Sequence, residues 1–174
     1  LMILLLLILI PLTAAFAAWF AGSRTWLIRS ILLLTALSHT VLTICAICSQ
    51  SPASFFWRGQ EWIGIDIGLD DAGTIFLLIT SLLFLFVSLH TLMWLPADRA
   101  AEGHTHKPAG FQRDSVFIPC MLAFLSTMTL VITARNFGLL WVAVEATTLV
   151  SAPLICFHRS DRSLEAMWKY LLIC

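Results

Sequence analysis

Glu145 is a carboxylate in the middle of an apolar run. The stretch Phe137 to Phe157 reads FGLLWVAVEATTLVSAPLICF, and its only ionisable groups are Glu145 and the Cys156 thiol. Wound as a helix, it places Glu145 roughly 12 Å below its first residue, near the midplane of a hydrocarbon core about 30 Å thick. An acid at that depth is costly unless it has a partner, water or a proton. Proton or ion handling is the chemistry such a group serves first. Its same-face helical neighbours are Trp141, Thr148, Leu149 and Ala152, and the Thr148 hydroxyl can bond the carboxyl or a water beside it. A carboxyl balanced between desolvation and a nearby cation can load and release protons. The bland alternative is a neutral, hydrogen-bonded glutamic acid that holds helices together.

Lys169, in Ala166-Met167-Trp168-Lys169-Tyr170-Leu171, is the second candidate. It either snorkels to the interface or forms a buried amine that pairs with Glu145 or hands on a proton. The two residues differ in depth by roughly 9 Å, so coupling through water or one intermediate group fits better than direct contact. Pro153 leaves the Leu149 carbonyl without its helical donor; that carbonyl could hold a water near Glu145, or the proline is only a bend. His39, beside Thr40, reads as a buried histidine bonded to a hydroxyl or as a relay member. His90 and His158 lie near span ends and can snorkel. Ser126, Thr127, Thr129 and Thr133 either line a hydrated path or serve as helix-packing glue. The pair His104 and His106 lacks a third metal ligand nearby. Cys45 and Cys48 form a CxxC with no second pair, and a disulfide within one helical turn is disfavoured by geometry. No metal or cofactor site is expected.

These residues need helices to position them, and the composition supplies helices in a membrane. The chain has 174 residues, of which 60% are hydrophobic and 11% charged, with mean hydropathy +0.94. A soluble domain carries about 25% charged residues. The formal net charge is zero, which leaves no basic footprint for nucleic acid. Run length predicts an all-α polytopic bundle with spans over 1–21, 26–48, 72–95, 115–134 and 137–157, and a sixth helix from about Ser163 to Cys174. The first contains Pro11, a predicted kink; its start lacks a basic region, and it reads as a retained span rather than a signal peptide because four more hydrophobic segments follow. Twelve residues of a sixth helix do not cross a bilayer, so the sequence reads as a fragment or as one part of a larger assembly. With the N-terminus outside, eight Lys and Arg residues fall on inner segments and two, Arg58 and Arg135, on outer ones, which fits the positive-inside bias of a multi-pass inner-membrane protein. Trp19, Trp26, Trp57, Trp62, Trp94 and Trp168 fall near predicted interfaces. The outer loop 49–71 contains an alternating stretch, Trp62 to Asp70, predicted to be extended and hairpin-like. The inner loop 96–113 reads as a polar connector. The organisation expected is 1–113, three leading helices with these loops, followed by 114–174.

From Asn136-Phe-Gly-Leu-Leu-Trp-Val-Ala-Val-Glu145-Ala-Thr-Thr to His158-Arg-Ser-Asp-Arg-Ser-Leu-Glu-Ala-Met-Trp-Lys169-Tyr, the chain resembles the antiporter-like membrane subunits of respiratory complex I, Mrp antiporters and membrane-bound hydrogenases. The likeness is greatest to the hydrogenase-4 component F type. Leu69-Asp70-Asp71-Ala-Gly-Thr-Ile-Phe resembles that family's outer-loop aspartate and third helix. The resemblance implies that Glu145 is the fifth-helix glutamate of proton translocation, that Lys169 is the lysine near it, and that Asp70 is structural. It implies that 114–174 begins the first of two inverted repeats in an antiporter-like domain. The function it implies is proton, or cation/proton, translocation in an NADH-quinone oxidoreductase-like or hydrogenase complex, with no redox site or cofactor on this subunit. Partners would be lipid, other membrane subunits, and protons or monovalent cations. Two alternatives remain: an Mrp-type cation/proton antiporter subunit without a redox partner, and a non-catalytic membrane scaffold.

Overall fold

The computed structural model describes residues 2–21, 24–48, 55–58, 66–102, 110–156 and 161–174. Six helices follow in order: α1 (Met2–Ala21), α2 (Thr25–Cys48), α3 (Asp71–Glu102), α4 (Gly110–Thr133), α5 (Phe137–Ile155) and α6 (Asp161–Ile173). Between α2 and α3 lies a two-stranded hairpin, β1 (Phe55–Arg58) and β2 (Asp66–Leu69). Among the described residues, five helices are long and apolar enough to cross a membrane. The protein is therefore an all-α, multi-pass membrane bundle, as the run lengths predict. His104 and His106 of the inner loop, Trp62 of the outer loop, and His158 lie outside the described residues.

Two boundaries differ from the sequence reading. The α3 helix continues through Pro96 to Glu102, and α4 begins at Gly110 rather than Ser115. The segment after Pro96 reads Ala-Asp-Arg-Ala-Ala-Glu, mostly good helix formers, and a proline within a helix costs one hydrogen bond without always ending it. The first helix likewise runs unbroken through Pro11, which is buried. Of the predicted outer-loop stretch, residues 66–70 are described, and they include an extended strand. β2 lies within the alternating stretch, and its antiparallel partner is Phe55-Phe56-Trp57-Arg58, with Phe55 opposite Leu69 and Arg58 opposite Asp66.

Hydrocarbon is as apolar as leucine, so helices in a bilayer associate through close packing and interhelical hydrogen bonds. Both are present. The α4 helix is central: it packs most extensively on α1 and also touches α2, α3 and α5. Ala15 and Ala18 of α1, Ile28, Leu32 and Ala36 of α2, Phe84 of α3 and Ile118, Met121, Leu122 and Leu125 of α4 form the main core. The fully buried Ala18 and Ala36 let backbones approach. Ser126 of α4 donates to the Ile8 carbonyl of α1 at 2.8 Å. A second cluster, Leu4, Leu7, Ile67, Leu69 and Leu77, fastens the hairpin over the ends of α1 and α3, and Ile67 also bridges Ala134 at the end of α4. We call this end the hairpin face.

Asp70 begins α3 there. Its carboxylate Oδ1 accepts from the Gly73 N–H at 2.7 Å, and its carbonyl accepts from the Thr74 N–H and hydroxyl, each at 2.8 Å. This is an N-cap, which satisfies donors that the first helical turn leaves open. A Cβ on Gly73 would stand 2.7 Å from Asp70 Oδ1 and 3.2 Å from Leu69 Cδ1. Gly73→Ala should therefore displace the capping carboxylate and lower stability by about 1 kcal/mol, the typical worth of a cap. Thermal unfolding in detergent checks this, with Asp70→Ala as the comparison. If the two variants match wild type, the cap is not holding the hairpin against α3.

Candidate functional site

Asn136 sets where the Glu145 helix starts. Its backbone is extended (φ −102°, ψ 134°), and its side-chain oxygen accepts from the Gly138 N–H at 2.8 Å. That cap fixes the beginning of α5 at Phe137, as the sequence predicts, and places Glu145 about 12 Å below the hairpin face. The helix carries few buried positions. Only 11% of its membrane-spanning window is buried, and Ala143 and Ala152 are the buried residues.

Glu145 is on the open side. Its side chain is exposed, flanked by Trp141 at 70% and Leu149 at 57% exposure. Among the described residues its carboxylate makes no hydrogen bond or ion pair. Thr148, which was expected beside the carboxyl, instead donates to the Glu145 backbone carbonyl at 2.7 Å. Threonine in a helix commonly turns its hydroxyl back onto the preceding turn, and that local bond wins here.

Lys169 is not brought to Glu145. Its ammonium pairs with Glu165 Oε1 at 2.6 Å, one turn back on α6, and both side chains are about two-thirds exposed (67% and 64%). An i,i+4 pair of this kind contributes little stability. What joins the two helices is a pair that sequence reasoning missed. Ser151 of α5 and Tyr170 of α6 meet at 2.9 Å through their hydroxyls. Tyr170 is the only tyrosine in the chain, and that singular phenol next to Lys169 was the available signal. Tyr170→Phe removes one interhelical bond, worth about 0.6 kcal/mol in a bilayer. The expected result is a small drop in unfolding temperature with α5 itself intact, and no drop at all would mean that α6 docks without this bond.

Pro153 is exposed on α5. It and Leu149 line an apolar groove of about 530 Å³ between α1, α4 and α5, with Phe16 and Ala123 opposite. Walls of this kind do not hold a water chain, so a proton path from Glu145 does not run through the groove.

His39 is buried, but not on Thr40, whose hydroxyl donates to Ala36 O in its own helix. Its partners come from two other helices, Thr129 of α4 and Ser81 of α3. Thr129 was among the hydroxyl candidates; Ser81 was not. Cys45 and Cys48 carry free thiols, and among the described residues no group of three His, Cys, Asp or Glu side chains could hold a metal ion. Trp19, Trp26 and Trp168 are exposed, as interface tryptophans should be.

No family model matches the chain. A curated relative does. The chain is similar to a hydrogenase-4 component F homolog. That protein, from Methylacidiphilum infernorum (isolate V4), is 29% identical over 105 residues, which are 60% of this chain and 21% of the relative. The resemblance to an antiporter-like subunit of this type, read from the sequence, is borne out by that match. The fold also has a solved counterpart in the membrane-bound sulfane sulfur reductase, an archaeal respiratory membrane complex. One of its chains superposes with a TM-score of 0.75 at 19% identity, covering 97% of this chain and 33% of that one. The chain thus spans about a fifth of the curated relative and a third of the structural one.

Proposed function

We propose that this chain supplies part of a proton path to a multi-subunit respiratory or hydrogenase-type membrane complex, with Glu145 as the group that takes up and releases the proton. The observation that carries the reading is the placement of Glu145. A carboxylate faces outward from the middle of a membrane helix, with no partner among the described residues. Bare hydrocarbon against an ionised carboxylate is strongly disfavoured. That face of α5 is therefore met by water or by further protein, and an acid at such a boundary is placed to exchange protons. The names of the similar proteins support the setting: one is a hydrogenase component homolog and the other belongs to a respiratory membrane complex. Lys169, on the helix tethered to α5 through Tyr170, supplies a positive charge whose release from Glu165 would alter the proton affinity of the path. Partners are adjacent membrane subunits and lipid, and the transported ion is a proton or a monovalent cation exchanged for one. Transport across vesicles holding the complete complex tests this, with Glu145→Gln as the variant. Replacing all monovalent metal cations in the medium with an impermeant organic cation separates the two ions: proton transport that continues unchanged excludes cation exchange.

A further inference from the structure

The apolar groove between α1, α4 and α5 occupies a defined layer of the membrane. Its α1 wall runs from Leu12 to Phe20, about 15 to 27 Å below Met2 at the hairpin face. On α4, Ala123 and Pro119 lie about 15 and 21 Å below Thr133, and on α5, Leu149 and Pro153 lie about 18 and 24 Å below Phe137. Three helices thus place the groove at one depth. In a hydrocarbon core about 30 Å thick, that depth is the leaflet opposite the hairpin face, and the groove stops near the midplane.

This extent argues against a transmembrane helix as the occupant, because a helix needs a track through both leaflets. The width argues the same way. Spread over about 12 Å of depth, 530 Å³ gives a mean section of about 44 Å², roughly 7 Å across, whereas a helix with its side chains is about 10–12 Å wide. A hydrocarbon chain suits both dimensions. The small side chains of Ala15 and Ala123 give the groove its depth, and its walls offer a chain dispersion contacts on three sides. The α5 helix has few buried residues of its own, so a chain seated against Leu149 and Pro153 braces it on α1.

The mouth of the groove carries positive charge. Arg24 follows the α1 wall directly, and its backbone N–H bonds to the Ala21 carbonyl at 3.1 Å. Arg162 lies in the first turn of α6, and the hydroxyl of the next residue, Ser163, is 3.9 Å from the Cys156 thiol at the C-cap of α5. Each arginine therefore stands at the end of one wall, and both are exposed. Guanidinium groups bind phosphate oxygens through paired hydrogen bonds. Trp19, on the α1 wall beside Phe20, lies at the level where indoles meet lipid headgroups.

We propose that the groove is a phospholipid site. It takes one acyl chain of an anionic phospholipid from the leaflet opposite the hairpin face, with the phosphate at Arg24 and Arg162. The site is independent of the proton path.

The test uses the complete complex in phosphatidylcholine vesicles that contain a small share of phosphatidylglycerol with a photoactivatable group in its acyl chain. After illumination, labelled residues are mapped by mass spectrometry. Residues 12–20, 119–123 and 149–153 should be labelled severalfold more than the average lipid-facing residue of the complex. Unlabelled phosphatidylglycerol should compete severalfold better than added phosphatidylcholine. Ala123→Trp fills the groove and should bring labelling down to the average. The double variant Arg24→Gln, Arg162→Gln alters only exposed side chains, so it can be read even if Ala123→Trp does not assemble; it should abolish the preference for phosphatidylglycerol. Average labelling in the wild type means ordinary boundary lipid and overturns the proposal. Labelling elsewhere but none in the groove means that a protein segment covers it, and overturns the proposal too. Equal competition by the two lipids, or selectivity that survives loss of both arginines, overturns the assignment of the phosphate.

Discussion

Glu145→Gln in the complete chain should reduce proton translocation by tenfold or more while the complex still assembles. Both halves of that expectation come from the geometry. The carboxylate makes no hydrogen bond or ion pair among the described residues and lies on the exposed side of α5, so its replacement removes no hydrogen bond or ion pair among them. Glutamine has nearly the same size and keeps one acceptor, yet it cannot bind and release a proton near neutral pH. An uncharged side chain at that depth is also easier to place in a membrane than a carboxylate, which favours insertion of the variant. Transport is read as proton flux in vesicles, and assembly as co-purification of the other subunits. A fully active glutamine variant would sink the proposed role of Glu145. Loss of assembly together with transport would instead make Glu145 a contact to a neighbouring subunit, as the scaffold reading requires.

Lys169 follows a different logic. Held against Glu165 on an exposed stretch of α6, it is a pair that water and salt weaken, so its charge is available to whatever approaches. The Ser151–Tyr170 bond keeps α6 on α5. In the proposed path, Lys169 acts on Glu145 through the field along α5 rather than by touching it. This agrees with the depth difference that the sequence implies.

The membrane spans were legible because a bilayer imposes a length rule that the apolar runs obey. The start of α5, and hence the depth of Glu145, followed from run length alone; the Asn136 cap is seen only in the structure. What was not legible depends on how helices rotate against one another. His39 reads with Thr40 in sequence, but Thr40 turns to its own helix, and the ring meets Ser81 and Thr129, 42 and 90 residues away. No periodicity within one helix reveals that meeting. The Lys169–Glu165 pair is legible as an i,i+4 spacing. The first hairpin strand carries no polar alternation, since Phe55-Phe56-Trp57 is continuously apolar, so only its partner strand gave a signal. The apolar run ends at Leu95, whereas helix-forming residues carry α3 past Pro96 to Glu102.

Leu122→Ala should cost about 3 kcal/mol, the middle of the range for emptying a buried leucine site, whereas Leu83→Ala should cost less than about 1 kcal/mol. The same chemical change is made in both, so the difference isolates packing. Leu122 is fully buried at the centre of α4, in the cluster with Ile118, Met121 and Leu125 and with residues of α1, α2 and α3. Removing its side chain leaves a hole that hydrocarbon cannot reach, and the lining atoms lose their dispersion contacts. Leu83 is 58% exposed on α3, and a lipid chain against it is as apolar as the leucine it replaces. Because α4 also supports α5, the Leu122 vacancy should loosen the helix that carries Glu145, lowering transport and unfolding temperature together. Denaturation of the purified full-length protein in mixed detergent measures both variants. Equal losses would mean that the helices are not centred on α4, and would remove the packing basis for the depth and direction assigned to Glu145.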